Sequence, residues 1–135
     1  MPWQITSVAG IRAEQELVTI FTRCGYHEFP RPLSAVRRKA IAFSTREEDQ
    51  DGKIDFWLCL QIKTIYRWIP IQFTISNNRV RIKAKELEAT SLSIVFVKVN
   101  IQDLKTALAD RAAGARMVSW ISKQVIQDYL SLKNK

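Results

Sequence analysis

Between residues 53 and 76 the hydrophobic pattern locks onto a period of two, and no other feature of the chain restricts its fold as much. Ile54, Phe56, Leu58, Leu60 and Ile62 alternate with Lys53, Asp55, Trp57, Cys59 and Gln61. After a short turn, Ile69, Ile71, Phe73 and Ile75 alternate with Trp68, Pro70, Gln72 and Thr74. Successive side chains of a strand point to opposite faces, so both segments read as strands with one aliphatic face. Residues 37–44 read as a third strand with a basic beginning, and the acidic run 47–52 ends in Asp51-Gly52, a strong hairpin signal. The three segments predict an antiparallel meander. Pro70 removes one ladder donor, which predicts a bulge or a one-sided edge at that point.

The flanks follow helical spacing. Over residues 11–24, Ala13, Leu17, Ile20, Phe21 and Cys24 share one stripe, and Gly25 supplies a stop. Pro30 and Pro32 mark an irregular connection. Residues 77–89 fit either a strand, through Arg79, Arg81, Lys83 and Lys85, or a helix, through Val80, Ala84 and Leu87. Their Lys, Ala, Glu and Leu content favours a helix capped by Ser76 or Asn77. Residues 92–99 form a β-branched run suited to a buried strand. Asn100 caps a helix through about Ala112 with Asp103 in its first turn, Gly114 interrupts, and residues 115–132 form a last amphipathic helix. The expected fold is α/β and three-layer-like. A central mixed sheet, the meander plus a fourth strand, is flanked by helices in the order α-β-β-β-α-β-α-α. A length of 135 residues without repeats reads as a single domain over 1–135.

Several chemistries are set aside by what the chain lacks. It has no G-x-x-x-x-G-K loop and no G-x-G-x-x-G, which disfavours a nucleotide-hydrolysing or dinucleotide site. His27 is the one histidine, has no H-E-x-x-H frame, and reads as a surface or packing residue. The acidic turn fails as a calcium loop, because Glu47 stands at the opening Asp and Leu58 at the closing Glu. Cys24 and Cys59 resemble no ligand pair or disulfide framework and read as buried thiols in a reducing compartment. Neither a secretory signal nor a membrane span is visible, so the expectation is a soluble cytoplasmic protein with no membrane partner. A formal net charge of +8 attracts polyanions and points to nucleic acid.

The strand pattern also gathers polar groups. Asp55 lies opposite the aliphatic face near the start of its strand, and Gln72 and Thr74 project together from the next. Gln72 stands out in so apolar a strand, since an unpaired half-buried amide costs about 1–3 kcal/mol. On the first helix Glu14 lies about 60° from the centre of the apolar stripe and Glu16 about 100° on the other side, which makes Glu14 the carboxylate turned toward the sheet. Two carboxylates and an amide oxygen are hard ligands suited to Mg²⁺.

With GKIDFWL around Asp55 and WIPIQFTIS around Gln72, the α-β-β-β-α-β order resembles the PD-(D/E)XK, or restriction-endonuclease-like, nuclease superfamily over roughly residues 11–99. The resemblance implies cleavage of phosphodiester bonds, in DNA ahead of RNA, with Mg²⁺ or Mn²⁺. It makes Asp55, Gln72 and Glu14 the catalytic candidates, with Asp55 and Gln72 holding the metal. Gln72 stands where an acid is usual and Thr74 where the family has the lysine that orients the attacking water. Lys39, Lys83 and Lys85 are candidates to replace that lysine.

Arg37, Arg38, Lys39, Arg79, Arg81, Lys83 and Lys85 are candidates for nucleic-acid contact. Trp57 and Trp68 are candidates for base stacking, although core packing is the preferred reading. Two rival functions stand beside the nuclease. One is a catalytically inactive nucleic-acid-binding module on the same scaffold. The other is a protein–protein adaptor using Val118, Ile121, Val125 and Tyr129, a stripe that reads alternatively as core or a homodimer surface.

Overall fold

Leu17, Ile20 and Phe21, with Ala13 and Val18, are buried along one side of α1 (Pro2–Arg23). A computed structural model describes residues 2–43 and 53–133, with side chains from Arg12 onward. α1 begins well before the expected position, and Pro2 suits a first helical turn because the N–H it lacks has no partner there. The helix ends as Gly25 predicts. Gly25 has φ of 91°, its N–H reaches Thr22 O at 3.2 Å, and Tyr26 N–H reaches Phe21 O at 3.2 Å. The rings of Tyr26 and Phe21 close this C-terminal motif edge to face, with centroids 4.9 Å apart.

Five strands follow in spatial order β1-β2-β3-β4-β5: β1 (His27–Phe29), β2 (Ala40–Phe43), β3 (Phe56–Ile62), β4 (Ile65–Thr74) and β5 (Val95–Lys98). The expected meander is present, since β2 pairs antiparallel with β3 and β3 with β4. β5 runs parallel to β4, and β1 runs parallel to β2. β1 is absent from the sequence-based order; three residues are too few to display a period of two. The β3–β4 turn is Lys63-Thr64, with Lys63 at φ of 60°. β5 pairs only with Ile71–Thr74, so Pro70 sits where β4 is bordered by β3 alone and its missing donor is tolerated. The acidic turn expected over 47–52 lies outside the described residues.

Ile41, Phe56, Leu58, Leu60, Ile69, Ile71, Phe73, Val95 and Val97 form one face of the sheet and share a single buried cluster with α1, α3 (Ile101–Ala109) and α4 (Arg111–Lys133). Val118, Ile121 and Val125 belong to this core and Tyr129 packs against it, so the stripe offered for an adaptor or dimer surface is spent inside the molecule. Asn100 caps α3 as expected, accepting from Gln102 N–H at 2.8 Å. Gly114 does not interrupt the chain. The break falls at Asp110, whose carboxylate accepts from Ala113 N–H at 3.0 Å, and Gly114 lies inside α4 against the Ala107 carbonyl.

The opposite face is covered unevenly, which falls short of the full third layer expected. α2 (Arg79–Ser91) lies against β4 and β5. Its cap is Asn78 rather than Ser76 or Asn77, with Arg81 N–H 3.0 Å from Asn78 Oδ1. Ala89 is its buried residue and Ile82 its half-buried apolar one, while Val80 and Leu87 are 80% and 70% exposed. The spacing that predicts the helix therefore marks its outer side. Trp57 and Trp68 lie on this second face, half-buried and outside the main core, contrary to the preferred reading. Trp68 Nε1 donates to Leu33 O at 2.9 Å and its ring meets Phe29, which ties the 30–39 connection over β1 and β4. Cys59 is buried, but Cys24 is exposed because the end of α1 leaves the core. No helix among the described residues is long and apolar enough to cross a membrane.

Candidate functional site

Asp55 immediately precedes β3, where the chain enters the sheet. Its N–H donates to Ile71 O at 2.8 Å, and its carboxylate Oδ2 accepts from Phe73 N–H at 2.6 Å, replacing a regular ladder bond. The β3–β4 register runs from the Ile62–Ile65 pair to the Phe56–Ile71 pair and stops short of Asp55, whose N–H goes to the same Ile71 that faces Phe56. Directly opposed residues of an antiparallel pair project from the same face. Trp57, opposite Pro70, and Gln72 therefore share the face away from the aliphatic one, and the Asp55 carboxylate meets that stretch of β4 at the Phe73 N–H.

Gln72 is 6% exposed. Its Nε2 donates to Glu88 Oε1 on α2 at 3.2 Å, and its Oε1 is buried without a hydrogen-bond partner. A carboxylate only accepts, so the contact with Glu88 fixes which end of the amide faces α2. An acceptor left in this state costs about 1–3 kcal/mol, which makes Gln72 Oε1 the most conspicuous unsettled group among the described residues. Trp57, on the same face two residues beyond Asp55, also carries a buried Nε1 without a partner. Thr74 is buried too, and its Oγ1 accepts from Ser76 N–H at 3.2 Å. The parallel register sets Lys98 beside Thr74, and Lys98 Nζ donates to Asn77 Oδ1 at 3.1 Å. Asp55 and Lys98 are half-buried, so solvent reaches this region from its edges rather than at Gln72.

Glu14 is half-buried on α1, the helix packed with the aliphatic core. The carboxylate that contacts Gln72 is that of Glu88. Among the described residues no three His, Cys, Asp or Glu side chains gather closely enough to hold a metal ion. What the fold does offer a hard cation is an acid at the Phe73 N–H and, one residue along, a buried, partnerless amide oxygen, both oxygen donors of the type Mg²⁺ and Mn²⁺ prefer.

Known protein families, curated proteins and solved structures include none that match this chain. The reading of the site therefore rests on its own geometry.

The expected basic groups divide by location. Arg37, Arg38 and Lys39 are exposed just before β2, and Arg79, Arg81 and Lys83 are exposed on the first turns of α2. Lys85 is half-buried on the side of α2 nearer the sheet. The two residues that sequence reasoning missed are Glu88 and Lys98. A lysine in an otherwise apolar strand was the signal that could have found Lys98. Nothing local pointed to Glu88, because the rotation of α2 about its axis is set by packing.

Proposed function

We propose that this protein binds nucleic acid across the face carrying Asp55 and Gln72 and hydrolyses phosphodiester bonds there with Mg²⁺ or Mn²⁺, as an altered member of the nuclease-like three-layer architecture. The observation that carries the reading is a half-buried acid, Asp55, bound to the Phe73 N–H, with the neighbouring residue on β4 an amide whose buried oxygen has no partner. The element order supports it in part: apart from the additional short β1, the elements α1, β2, β3, β4, α2 and β5 follow α-β-β-β-α-β, with β5 parallel to β4. Charge supports it as well, through the net +8 and the exposed arginines that open α2.

Asp55 and Gln72 Oε1 would hold the cation; Glu14, the further carboxylate that the family resemblance suggests, stands on α1 against the aliphatic face and is not part of this pair. A bound divalent ion lowers the pKa of its water and offsets charge on the phosphoryl oxygens. Lys98 supplies the positive charge that Thr74 lacks, from the neighbouring strand and at the same register. Arg79, Arg81 and Lys83 hold the phosphate backbone, while Arg37, Arg38 and Lys39 extend the contact beyond β2. A cytoplasmic location suits the two free thiols, Cys24 and Cys59.

Cleavage of duplex, single-stranded and branched DNA with Mn²⁺ tests the reading. Wild type is expected to cut at least one substrate. Asp55→Asn, which can still accept from Phe73 N–H, is expected to lose about 100-fold or more of the rate while remaining folded and bound. The presence of Thr74 where a lysine is usual favours one rival, the inactive binding module. Salt-sensitive binding without cleavage in any divalent metal would select it, and absence of both would remove the nucleic-acid reading altogether.

A further inference from the structure

Gln72 meets the acid Glu88 of α2, and Asp55 holds the N–H of the next residue, Phe73, yet only the nitrogen of the Gln72 amide is used. We propose that Glu88 is the positioning residue of the site: by accepting from Gln72 Nε2 it turns the amide oxygen away from α2 and presents it as a ligand for a divalent cation. The inference rests on the reading above that this face takes such a cation, and it assigns a role to a residue on a different element.

The chemistry of the amide carries the argument. One end donates and the other accepts, and the side chain must choose which end meets the carboxylate. The reverse orientation would set two oxygens against each other at 3.2 Å, so Glu88 excludes it. The opposite end is then an acceptor buried in a 6%-exposed side chain. An amide carbonyl oxygen is a hard donor that suits a divalent cation and disfavours an anionic ligand. Partners of this kind, which orient a ligand without touching the ion, set the affinity of metal sites about as strongly as the ligands do.

The test uses the full chain, with Mn²⁺ as the probe and two readouts: Mn²⁺ binding, and the side-chain ¹⁵N–¹H signals of the Gln72 amide without metal. Glu88→Lys replaces an acceptor by a donor, which takes the Gln72 oxygen and turns the nitrogen inward. It is expected to shift the amide signals and weaken Mn²⁺ binding by about tenfold or more. Glu88→Gln keeps an acceptor and is expected to restore both. Glu86→Lys makes the same charge change on α2 at an exposed residue outside the site, and is expected to leave the amide signals in place and Mn²⁺ binding near wild type. Wild-type binding in Glu88→Lys, or equal weakening by Glu86→Lys, would overturn the positioning role. Failure of wild type itself to bind Mn²⁺ would overturn the cation reading and this ligand role together, and is told apart because it occurs before any substitution.

Discussion

Tyr26 ties the end of α1 to the helix at the other end of the chain. Its ring meets Phe21 edge to face, and its hydroxyl lies 2.6 Å from Ser122 Oγ. Burial pushes its phenol above the ordinary tyrosine value; the Ser122 hydrogen bond works against that shift and Cys24 adds to it. A raised folded-state pKa means the folded protein holds this proton more tightly than the unfolded chain. The stabilisation is therefore complete below the unfolded value and is lost as pH rises through about 10 toward the folded one. Cys59, whose thiol is also raised by burial, contributes in the same direction from a lower starting pH. Tyr26→Phe is expected to cost about 1 kcal/mol at pH 7, because the hydrogen bond to Ser122 is gone, and to flatten the alkaline loss of stability without abolishing it. Urea unfolding at neutral pH and at pH near 10.5 checks both parts. A variant as steeply pH-dependent as wild type would remove Tyr26 from the linkage.

At the scale of elements, two helices show opposite relations between local preference and packing. α4 tolerates a glycine in its interior because Gly114 lets it approach α3: a Cβ there would stand 2.9 Å from the Ala107 carbonyl oxygen. Gly114→Ala would gain about 1 kcal/mol of helix propensity. The clash is with backbone, which cannot swing aside, and overpacking of this kind costs about 1–3 kcal/mol. The expected net result is destabilisation, seen as a lower urea midpoint with an unchanged slope. α2 presents the reverse case. Arg79, Arg81 and Lys83 crowd its first turns, where the helix dipole is already positive, and Glu86 and Glu88 occupy its second half. Each such charge is unfavourable by about 0.3–1 kcal/mol in an isolated helix. α2 is therefore held by its cap and by packing through Ile82 and Ala89, and Asn78→Ala is expected to cost about 1 kcal/mol. The same charge order explains why residues 77–89 read almost equally well as strand or helix.

For the whole molecule, the net charge of +8 sets the expected response to salt. Affinity for DNA should fall linearly with the logarithm of salt concentration. Replacing Arg79 and Arg81 together by alanine should reduce the slope by about 2, one for each phosphate no longer neutralised. An unchanged slope would take α2 off the binding track. How far this molecule could be read in advance follows from the range of the forces involved. The strands and their inward faces, the stop at Gly25 and the Asn100 cap were legible because period, φ preference and capping act over a few neighbouring residues. The face of Gln72 was legible for the same reason, since a two-residue turn left little freedom in the register, whereas the bond of Asp55 to the same Ile71 that faces Phe56 was not. The short strand β1 beside β2, the outward turn of Val80 and Leu87, and the meeting of Gln72 with Glu88, sixteen residues away, were not. Nor was the placement of Lys98 beside Thr74. These depend on which strand lies beside which and on how a helix rotates to bury its few apolar atoms, choices that are settled only when distant segments compete for the same surface.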